Sequence, residues 1–420
     1  MLKKLMATLF ASLLLIPLPA QTFQWRGPKG DGHFNETNLL REWPEGGPEL
    51  LFTVSGIGRG YSSGIVSGEA IYVTGRLDTM DHMTAITLDG RILWQTPFGR
   101  SWPKTLPDAR GSVTVDGNRA YAISGSGVLG CLDTSDGSLI WSVNVDGDFE
   151  TEWHIYGTSE TPLIVDDKVI VMPGGKKTSV VALDKMTGKL IWQSESTGGA
   201  RGYASAVLYE YNGLRYILGS TAKHLMALDP QTGRTIWSYQ HHTVERDRDE
   251  PGNGECMTNN PIYKGLEIFI SKGYDYPAIM LQMDSTGTTV REKWLNETLD
   301  NHHGGLLLIG DHIYGSNFYH NTKGKWVCLS WKHGEVTYLH DWINKGNIIY
   351  ADSMMYIYED RKGFIGLVRP DPEKFDLVSS FQMTHGNGYH WAHLFIHNGI
   401  LYVRRGEMLM AYDIRRKDPA

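Results

Sequence analysis

Arginine, histidine, tyrosine and tryptophan are concentrated in short polar segments that separate the apolar runs of this sequence. An arginine guanidinium binds a carboxylate through two parallel hydrogen bonds. Aromatic rings offer a flat apolar surface to the face of a sugar ring, and histidine and tyrosine can transfer protons near neutral pH. This combination favours a site for a small anionic ligand or for the end of a glycan.

The candidate site residues fall into two groups by their chemistry. Proton transfer is assigned to His303, His390, Tyr61 and Tyr203. Ligand binding is assigned to Arg59, Arg110, His154, Glu160, Arg201, Glu255, Asn259, His302, Lys345, Trp391 and His393. The alternative for any of the histidines is a core residue that is hydrogen-bonded to the backbone.

Two histidine pairs limit how many rings can face one site. Successive side chains of an extended chain point to opposite sides, so we expect only one of His302 and His303 to face the ligand. The same expectation holds for His390 and His393. A zinc site needs three or four convergent ligands, and no segment shows such a local pattern. We therefore predict no metal and no other cofactor, with a metal held by ligands from different blades as the alternative.

Four segments repeat one pattern, in which an apolar strand ends in Leu-Asp and a glycine stands four residues before a tryptophan. The repeats end about 45 to 51 residues apart, at Trp94, Trp141, Trp192 and Trp237. The aspartate caps a tight turn, and the glycine supplies the positive φ that the turn needs. The tryptophan on the following strand is expected to pack between neighbouring repeats. Two short strands precede each hairpin, so each repeat predicts a four-stranded blade of a β-propeller.

The later repeats are weaker, and they leave the number of blades open between eight, which we favour, and seven. Blades five to seven are predicted near residues 258–294, 304–338 and 348–380, and the last blade, from Trp391 to Ile414, has only three strands. A spare strand at residues 49–54 precedes the first blade. We expect it to complete the last blade, which closes the ring and removes both free edges.

The polar segments correspond to the links from the outer strand of one blade to the inner strand of the next. In a propeller these links emerge on one face, around the mouth of the central channel. The candidate residues should therefore surround that mouth. The link from His241 to Glu255 is long and charged, and it forms either a lid over the mouth or a solvated surface loop.

The pattern Leu-Asp-x-x-Thr-Gly-Lys-x-x-Trp resembles the PQQ-like propeller repeat family. Trp25-Arg26-Gly27-Pro28 and the stretch from Asn301 to Gly305 resemble secreted propellers of that family from glycan-degrading bacteria. The resemblance covers roughly residues 22–415. It implies an all-β propeller, and it is a poor guide to function because one fold serves many chemistries.

The resemblance implies a carbohydrate-active enzyme, a polysaccharide lyase or a glycoside hydrolase that acts on an acidic glycan end containing uronate or rhamnose. A uronate carboxylate would be neutralised by Arg110 and Arg201, and its protons would be moved by the four proton-transfer candidates. A hydrolase ordinarily needs a pair of carboxylates, for which Glu160 and Glu255 are the candidates.

Two other functions are alternatives. One is a non-catalytic propeller that binds glycans or scaffolds proteins, resembling the propeller of outer-membrane assembly. The other is a quinone-dependent dehydrogenase. Such enzymes carry a vicinal cysteine pair over the quinone and a bound calcium ion. This sequence has neither a vicinal pair nor a calcium-binding cluster, so a quinone cofactor is disfavoured.

The first residues predict export from the cytoplasm. Lys3 and Lys4 precede an apolar stretch that is too short to span a bilayer, and Leu18-Pro19-Ala20 offers a cleavage site. We expect a signal sequence at residues 1–20 and one propeller domain at residues 21–420. The mature protein should be a periplasmic or secreted monomer without a membrane anchor.

Composition narrows the partners and the redox chemistry. The net charge of −7 and the 21% of charged residues argue against a general nucleic-acid binder. Cys131, Cys256 and Cys328 lie far apart in the sequence. They are expected to be buried free thiols, with a single disulfide bridge as the alternative.

Overall fold

A computed structural model describes residues 22–153, 155–241 and 256–417. Over these residues the protein is all-β, and eight small sheets form the blades of a propeller. The predicted fold class and the count of eight blades are confirmed. The predicted signal sequence at residues 1–20, the predicted lid or loop at 242–255, and the candidates His154 and Glu255 lie outside the described residues.

Blades 1 to 4 contain the four clear sequence repeats, and each has four strands in the order of the chain. Numbering strands along the chain, blade 1 comprises β4 (Ile65–Ser67), β5 (Ala70–Leu77), β6 (Met80–Thr87) and β7 (Ile92–Arg100), and blade 2 comprises β8 (Thr114–Asp116), β9 (Arg119–Ile123), β10 (Val128–Asp133) and β11 (Leu139–Asn144). Blade 3 comprises β12 (Leu163–Val165), β13 (Lys168–Val171), β14 (Val181–Asp184) and β15 (Leu190–Gln193), and blade 4 comprises β16 (Val207–Tyr211), β17 (Leu214–Ser220), β18 (His224–Leu228) and β19 (Thr235–Gln240).

Blades 5 to 7 keep the same architecture although their sequences diverge from the repeat. They comprise β20 (Ile262–Lys264), β21 (Glu267–Ile270), β22 (Ala278–Met283) and β23 (Val290–Asn296); β24 (Leu307–Ile309), β25 (His312–Ser316), β26 (Trp326–Ser330) and β27 (Val336–His340); and β28 (Gly346–Ala351), β29 (Met354–Glu359), β30 (Phe364–Arg369) and β31 (Asp376–Gln382).

Blade 8 is assembled from both ends of the described chain. Its inner three strands are β32 (Phe395–His397), β33 (Ile400–Arg405) and β34 (Met408–Asp413), and its outer strand is β3 (Glu49–Val54). Strand β3 pairs antiparallel with β34, with Thr53 opposite Met410. The predicted closure of the ring is confirmed.

Helical structure is nearly absent from the described residues. The helix α1 (Val145–Asp148) is a single turn between blades 2 and 3. No helix in the described part of the chain is long and apolar enough to cross a membrane.

At four junctions between consecutive blades of the described residues, a tryptophan of the outer strand contacts the next blade, whereas Nε1 of the repeat residue Trp237 has no such partner. At each of the four, the indole lies on the turn glycine of the next blade, and its Nε1 donates to a carbonyl oxygen of that turn. The donor–acceptor pairs are Trp94 to Thr134 at 3.1 Å, Trp141 to Lys185 at 3.3 Å, Trp192 to Pro230 at 3.1 Å and Trp294 to Trp331 at 3.2 Å. The last pair shows that blades 5 and 6 keep the contact without the full motif.

The core of the protein is divided into layers between blades. Each of eight clusters of buried apolar side chains in the described residues lies between two neighbouring blades, including the layer between blades 8 and 1. The middle strands are covered on both sides, and β10 and β14 are accordingly buried over nearly their whole length. The outer strand β11 lies at the edge of its blade, and its side chains are exposed or half-buried rather than fully buried.

An N-terminal segment, which we call the plug (residues 22–34), crosses the central channel. Its strand β1 (Thr22–Phe23) pairs with the inner strand β8 of blade 2, and its strand β2 (His33–Phe34) pairs in parallel with the inner strand β28 of blade 7. The sequence did not predict these two strands. The chain between these two strands connects blade 2 to blade 7 across the channel, so the plug blocks the channel.

We expect Gly233→Ala to destabilise the protein more than Gly213→Ala. Both glycines have positive φ, which costs another residue about 1–2 kcal/mol. A Cβ at Gly213 would meet nothing within 4 Å, whereas a Cβ at Gly233 would lie 2.4 Å from the Trp192 ring. Displacing that ring should add about 1–3 kcal/mol. Urea unfolding of the two variants measures the difference, and equal losses would show that the indole contact between blades 3 and 4 is dispensable.

Candidate functional site

A cavity of about 780 Å³ opens at the channel mouth, where the links between blades converge. Its walls come from links of most blades, and Trp25 of the plug closes it from within the channel. Its aromatic residues are Trp25, Tyr61, Tyr156, Tyr203, Tyr274, Tyr389 and Trp391, and its charged or ionisable residues include Arg110, Lys345, Asp360, Arg361, His302, His303 and His393.

Eight of the predicted site residues line this cavity. They are Tyr61, Arg110, Tyr203, His302, His303, Lys345, Trp391 and His393. The links between blades therefore bring residues from distant parts of the chain together at one mouth. What these residues do there remains a prediction.

One wall of the cavity is built from stacked aromatic rings. Tyr389 and Trp391 lie face to face, with ring centroids 4.1 Å apart and planes inclined by 6°. Tyr61 and His303 pack against the same indole, with centroids 5.0 Å and 5.2 Å from that of Trp391. The result is a rigid apolar surface with polar atoms at its edge, which suits the face of a sugar ring.

Arg110 is the cation that is best placed to bind a ligand. Its Nη2 donates to the carbonyl oxygens of Thr105, at 3.2 Å, and of Leu106. Its Nη1 has no hydrogen-bond partner among the described residues. Burial lowers the pKa of the Arg110 side chain, but a guanidinium remains charged in proteins. An anion in the cavity would satisfy this nitrogen.

Lys345, by contrast, is already neutralised inside the protein. Its Nζ pairs with Asp360, and the other carboxylate oxygen accepts from Asn344 Nδ2 at 2.7 Å. Both members of the ion pair are buried. Lys345 therefore contributes little charge to a ligand, although it was predicted to bind one.

His302 and His303 both line the cavity, and the expectation that only one would do so is wrong. The chain bends at residue 303 rather than continuing as a strand, so the alternation of an extended chain does not apply. The two rings lie 4.4 Å apart between centroids. For the pair His390 and His393 the expectation holds, since only His393 lines the cavity.

The plug sets the proton position on His393. Arg26 is buried and donates to the carbonyl oxygens of Leu306, at 2.7 Å, and Ile348, at 3.1 Å. It also lies 3.0 Å from Nδ1 of His393, and Nε2 of that ring lies 2.9 Å from the carbonyl oxygen of His303. A guanidinium only donates, so Nδ1 accepts and Nε2 carries the proton. The ring is thus held as one neutral tautomer.

The cavity histidines are uncharged at neutral pH. Burial lowers the pKa of His393 to about 3, and the positive charge of Arg26 lowers it further. Burial also takes the pKa values of His302 and His303 well below 6.5, and Lys345 lowers both further. The histidines therefore do not add positive charge for an anionic ligand, which is a correction to the interpretation of the sequence. They act as hydrogen-bonding groups, and His303 Nε2 has no partner among the described residues.

The two predicted catalytic tyrosines are protonated phenols. Burial raises the pKa of Tyr61, and the nearby Asp108 carboxylate, which accepts from its hydroxyl at 3.3 Å, raises it further. Burial raises the pKa of Tyr203 as well, and its hydroxyl accepts from the backbone nitrogen of Tyr156 at 3.2 Å. Both can donate a hydrogen bond, and neither is a base near neutral pH.

Arg201 and Glu160 do not line the cavity, in contrast to their predicted roles. Arg201 lies 2.7 Å from Asp146 and 3.8 Å from Glu160 in a buried ionic cluster that joins blades 2, 3 and 4. Glu160 accepts from the backbone nitrogen of Met172 at 3.0 Å. Burial raises the pKa of Glu160 to about 7, although Arg201 opposes that shift. The cluster is structural because its charges compensate each other away from the mouth.

Arg59, Asn259 and His390 are also placed outside the cavity lining. Arg59 is exposed and pairs with Asp108 at 3.4 Å. Asn259 Nδ2 donates to backbone carbonyls, including that of Asn301 at 2.7 Å, and so holds the link before blade 6. His390 is buried, with Nδ1 2.5 Å from the Tyr358 hydroxyl. All three had been selected because they stand in links, but Asn259 and His390 are buried in the protein and Arg59 lies exposed outside the cavity.

Several cavity residues were missed by the sequence interpretation. Tyr156 and Tyr389 stand in the predicted links, so their position was an available signal. Trp25 and Arg26 had no such signal, because their place depends on the plug crossing the channel. The three cysteines are buried and none of them forms a disulfide bridge within the described residues, as expected, and Cys256 lines the cavity.

We expect His393→Gln to remove part of the acid sensitivity of the fold. In the wild type the unfolded chain binds a proton at this histidine below pH 6.5, while the folded protein does not until about pH 3. Stability should therefore fall as pH falls through this window, by up to about 1.4 kcal/mol per pH unit. A glutamine keeps a donor and an acceptor without titrating. Urea unfolding at several pH values measures the slope, and an unchanged slope would contradict the assignment of a neutral His393.

Comparisons with known proteins agree with this architecture. The family described as outer membrane protein assembly factor BamB matches residues 79–338, more than half of the chain. No curated protein matches the sequence. BamB from Moraxella catarrhalis is similar in structure, with a TM-score of 0.63 and 17% identity over 89% of this chain and 99% of its own.

Two quinoprotein structures are similar at the same level. A europium-containing methanol dehydrogenase gives a TM-score of 0.66 and 13% identity, covering 90% of this chain and 88% of its own. The quinohemoprotein alcohol dehydrogenase from Comamonas testosteroni gives 0.61 and 12%, covering 93% and 80%. At these identities the likenesses concern the fold alone. With its repeats and the match over residues 79–338, the chain belongs to the PQQ-like propeller family described as outer membrane protein assembly factor BamB.

Proposed function

We propose that the cavity at the channel mouth binds the acidic end of a glycan. Arg110 Nη1, which has no partner in the described part of the chain, is the observation that carries this assignment. A buried guanidinium nitrogen without an acceptor is costly. A uronate carboxylate would both accept from it and compensate its charge. A negatively charged ligand is therefore favoured over a neutral one.

The charged residues that line the cavity support the same assignment, although Asp81 and Asp108 act electrostatically on Arg110 from outside the lining. Asp360 is the only carboxylate among the described residues that line the cavity. Its two oxygens already interact with Lys345 and Asn344. Arg361 also lines the cavity, while the histidines are neutral. The lining thus carries net positive charge without a free acid to repel an anion.

The shape of the cavity suits a sugar. Its volume of about 780 Å³ lies within the range of about 300–1,000 Å³ that is typical of small-molecule sites. The stacked pair of Tyr389 and Trp391 supplies a flat apolar surface beside hydrogen-bonding groups of tyrosine and histidine. A pyranose ring presents the same combination of an apolar face and polar edges.

Turnover by β-elimination is a second candidate, supported by Nε2 of the neutral His303. With the carboxylate on Arg110, this nitrogen would take the proton from the carbon next to the carboxylate. The electron pair would form a carbon–carbon double bond, and the bond to the glycosidic oxygen would break. That oxygen would take a proton from Tyr61 or Tyr203, both of which are protonated. The products would be an unsaturated uronate and a free hydroxyl.

A two-carboxylate hydrolase has less support. Such enzymes need two carboxyl groups beside the scissile bond. Glu160 lies in the ionic cluster with Arg201, and Asp360 is paired with Lys345. No other carboxylate of the described residues lines the cavity.

The cavity does not fit a calcium-supported quinone. A calcium ion takes six to eight oxygen ligands, with carboxylates among them. The described residues contain no group of three or more histidine, cysteine or acidic side chains that could hold a metal. The one cavity carboxylate is already paired with Lys345 and Asn344, and Cys256 has no neighbouring cysteine in the sequence.

Arg110→Gln should weaken binding of galacturonate and glucuronate by about 10- to 100-fold, the loss expected for one charge-assisted hydrogen bond. Binding of neutral glucose oligomers should be unaffected. Isothermal titration on mature protein, from Gln21 as the predicted export would leave it, measures both. The matched control is Arg59→Gln, which removes an exposed arginine outside the cavity. A protein that binds no uronate would favour the family's described role in outer-membrane assembly instead.

If elimination occurs, His303→Gln should abolish the ultraviolet absorbance of unsaturated uronates while leaving uronate binding within a few-fold. The ring is the only part of the site that must accept a proton in this reaction. Incubation with acidic polysaccharides, read by absorbance and by released ends together, measures it. Released ends without absorbance would indicate a hydrolase, and absorbance that survives in His303→Gln would exclude this base.

A further inference from the structure

A second stacked pair of aromatic rings lies outside the cavity. Trp102 and Trp153 are face to face, with ring centroids 4.4 Å apart and planes inclined by 11°. Trp102 is 4% exposed and Trp153 is 37% exposed. Trp153 is the only exposed tryptophan in the described residues, which include all 13 of the sequence.

The inner ring of this pair is held rigidly. The space beside Gly157 is filled by Trp102, since a Cβ at that glycine would lie 2.6 Å from the Cβ of Trp102. A Cβ at Gly125 would likewise lie 2.6 Å from the backbone nitrogen of Trp102. Trp102 therefore acts as a fixed base on which Trp153 is stacked, with the outer part of the Trp153 indole left in solvent.

The pair borders the cavity. The residue before Gly157 is Tyr156, which lines the cavity wall. The link that holds Trp102 continues to Leu106 and Arg110, which line the cavity as well. The two tryptophans thus come from the same two links that build the Arg110 side of the mouth.

A positive charge accompanies these rings. Lys104 Nζ lies 5.4 Å from the centroid of the Trp102 ring, and the lysine is exposed. The arrangement repeats outside the cavity what Arg110 and the pair Tyr389 and Trp391 provide within it. Both places combine stacked aromatic rings with a cation.

We propose that Trp153 and Lys104 form a second sugar subsite, so that the ligand is an acidic oligosaccharide whose chain leaves the cavity across Trp153. This inference rests on the proposed binding of a uronate end in the cavity. The first sugar is held at Arg110, and a following uronate stacks on the exposed indole with its carboxylate near Lys104. A single uronate would occupy the cavity alone and would not contact Trp153.

The test compares galacturonate with its oligomers of two to five residues by isothermal titration. Affinity of the wild type should rise as the oligomer becomes long enough to reach Trp153. Trp153→Ala should lose about tenfold in affinity for those oligomers, the equivalent of about 1.4 kcal/mol, and should bind galacturonate unchanged. Trp153→Phe, which keeps a flat ring, should retain most of the gain.

Tyr211→Ala is the matched control, because Tyr211 is 38% exposed and lies at the turn between the inner strands of blade 4, on the opposite face. Affinity that does not rise with length, or that Trp153→Ala leaves unchanged, would overturn the subsite while the cavity assignment stands. Failure of every uronate to bind the wild type would overturn both.

Discussion

The packing of neighbouring blades against each other is the constraint on which the propeller depends, because eight clusters of buried apolar side chains each lie between two blades. At four of these junctions an indole adds a contact with the turn glycine of the next blade and one hydrogen bond, as between Trp192 and the turn of Pro230 and Gly233. A single repeat of this kind cannot bury its apolar faces alone, and they are buried by stacking against the neighbouring repeats. Its middle strands become core only when both neighbours are present, so the eight layers form together. The closing strand β3 completes this cycle because it gives blade 8 an outer edge.

The plug contributes Trp25 to the lining of the cavity at the channel mouth. A propeller of eight blades leaves a channel, and the plug fills it between blades 2 and 7. Arg26 compensates its own burial with carbonyl oxygens of blades 6 and 7 and with His393. The same residue therefore stabilises the closure and fixes a ring of the cavity wall. Stability of the channel and the chemistry of the mouth are coupled through a single guanidinium.

Burial decides the electrostatics of the mouth more than residue type does. Histidines, tyrosines and a lysine would all be counted as potential charges from the sequence, yet desolvation keeps the rings neutral and Asp360 compensates Lys345. Arg110 is different because it retains its charge on burial and keeps one nitrogen without a partner. Arg110 and Arg361 are thus the cavity cations that are not neutralised in the way that Lys345 is, and we propose that they and the aromatic rings select ligands by an anionic group and by stacking. That selectivity is the physical basis of the proposed acidic glycan ligand.

The sequence alone determined the blade and predicted the closure by residues 49–54, because these follow from local turn chemistry and from a repeat spacing that is visible in the sequence. It favoured eight blades over seven, and the structure decided the number because the later repeats are weak in sequence. The sequence also determined which links surround the mouth. Only the tertiary structure decided which link side chains face inwards: Arg110 and His303 line the cavity, whereas Arg201, Glu160 and His390 turn into the protein. A link has no regular period, so the direction of its side chains depends on contacts with neighbouring blades. The plug was likewise beyond the sequence, since its two short strands exist only where the inner edges of blades 2 and 7 offer partners.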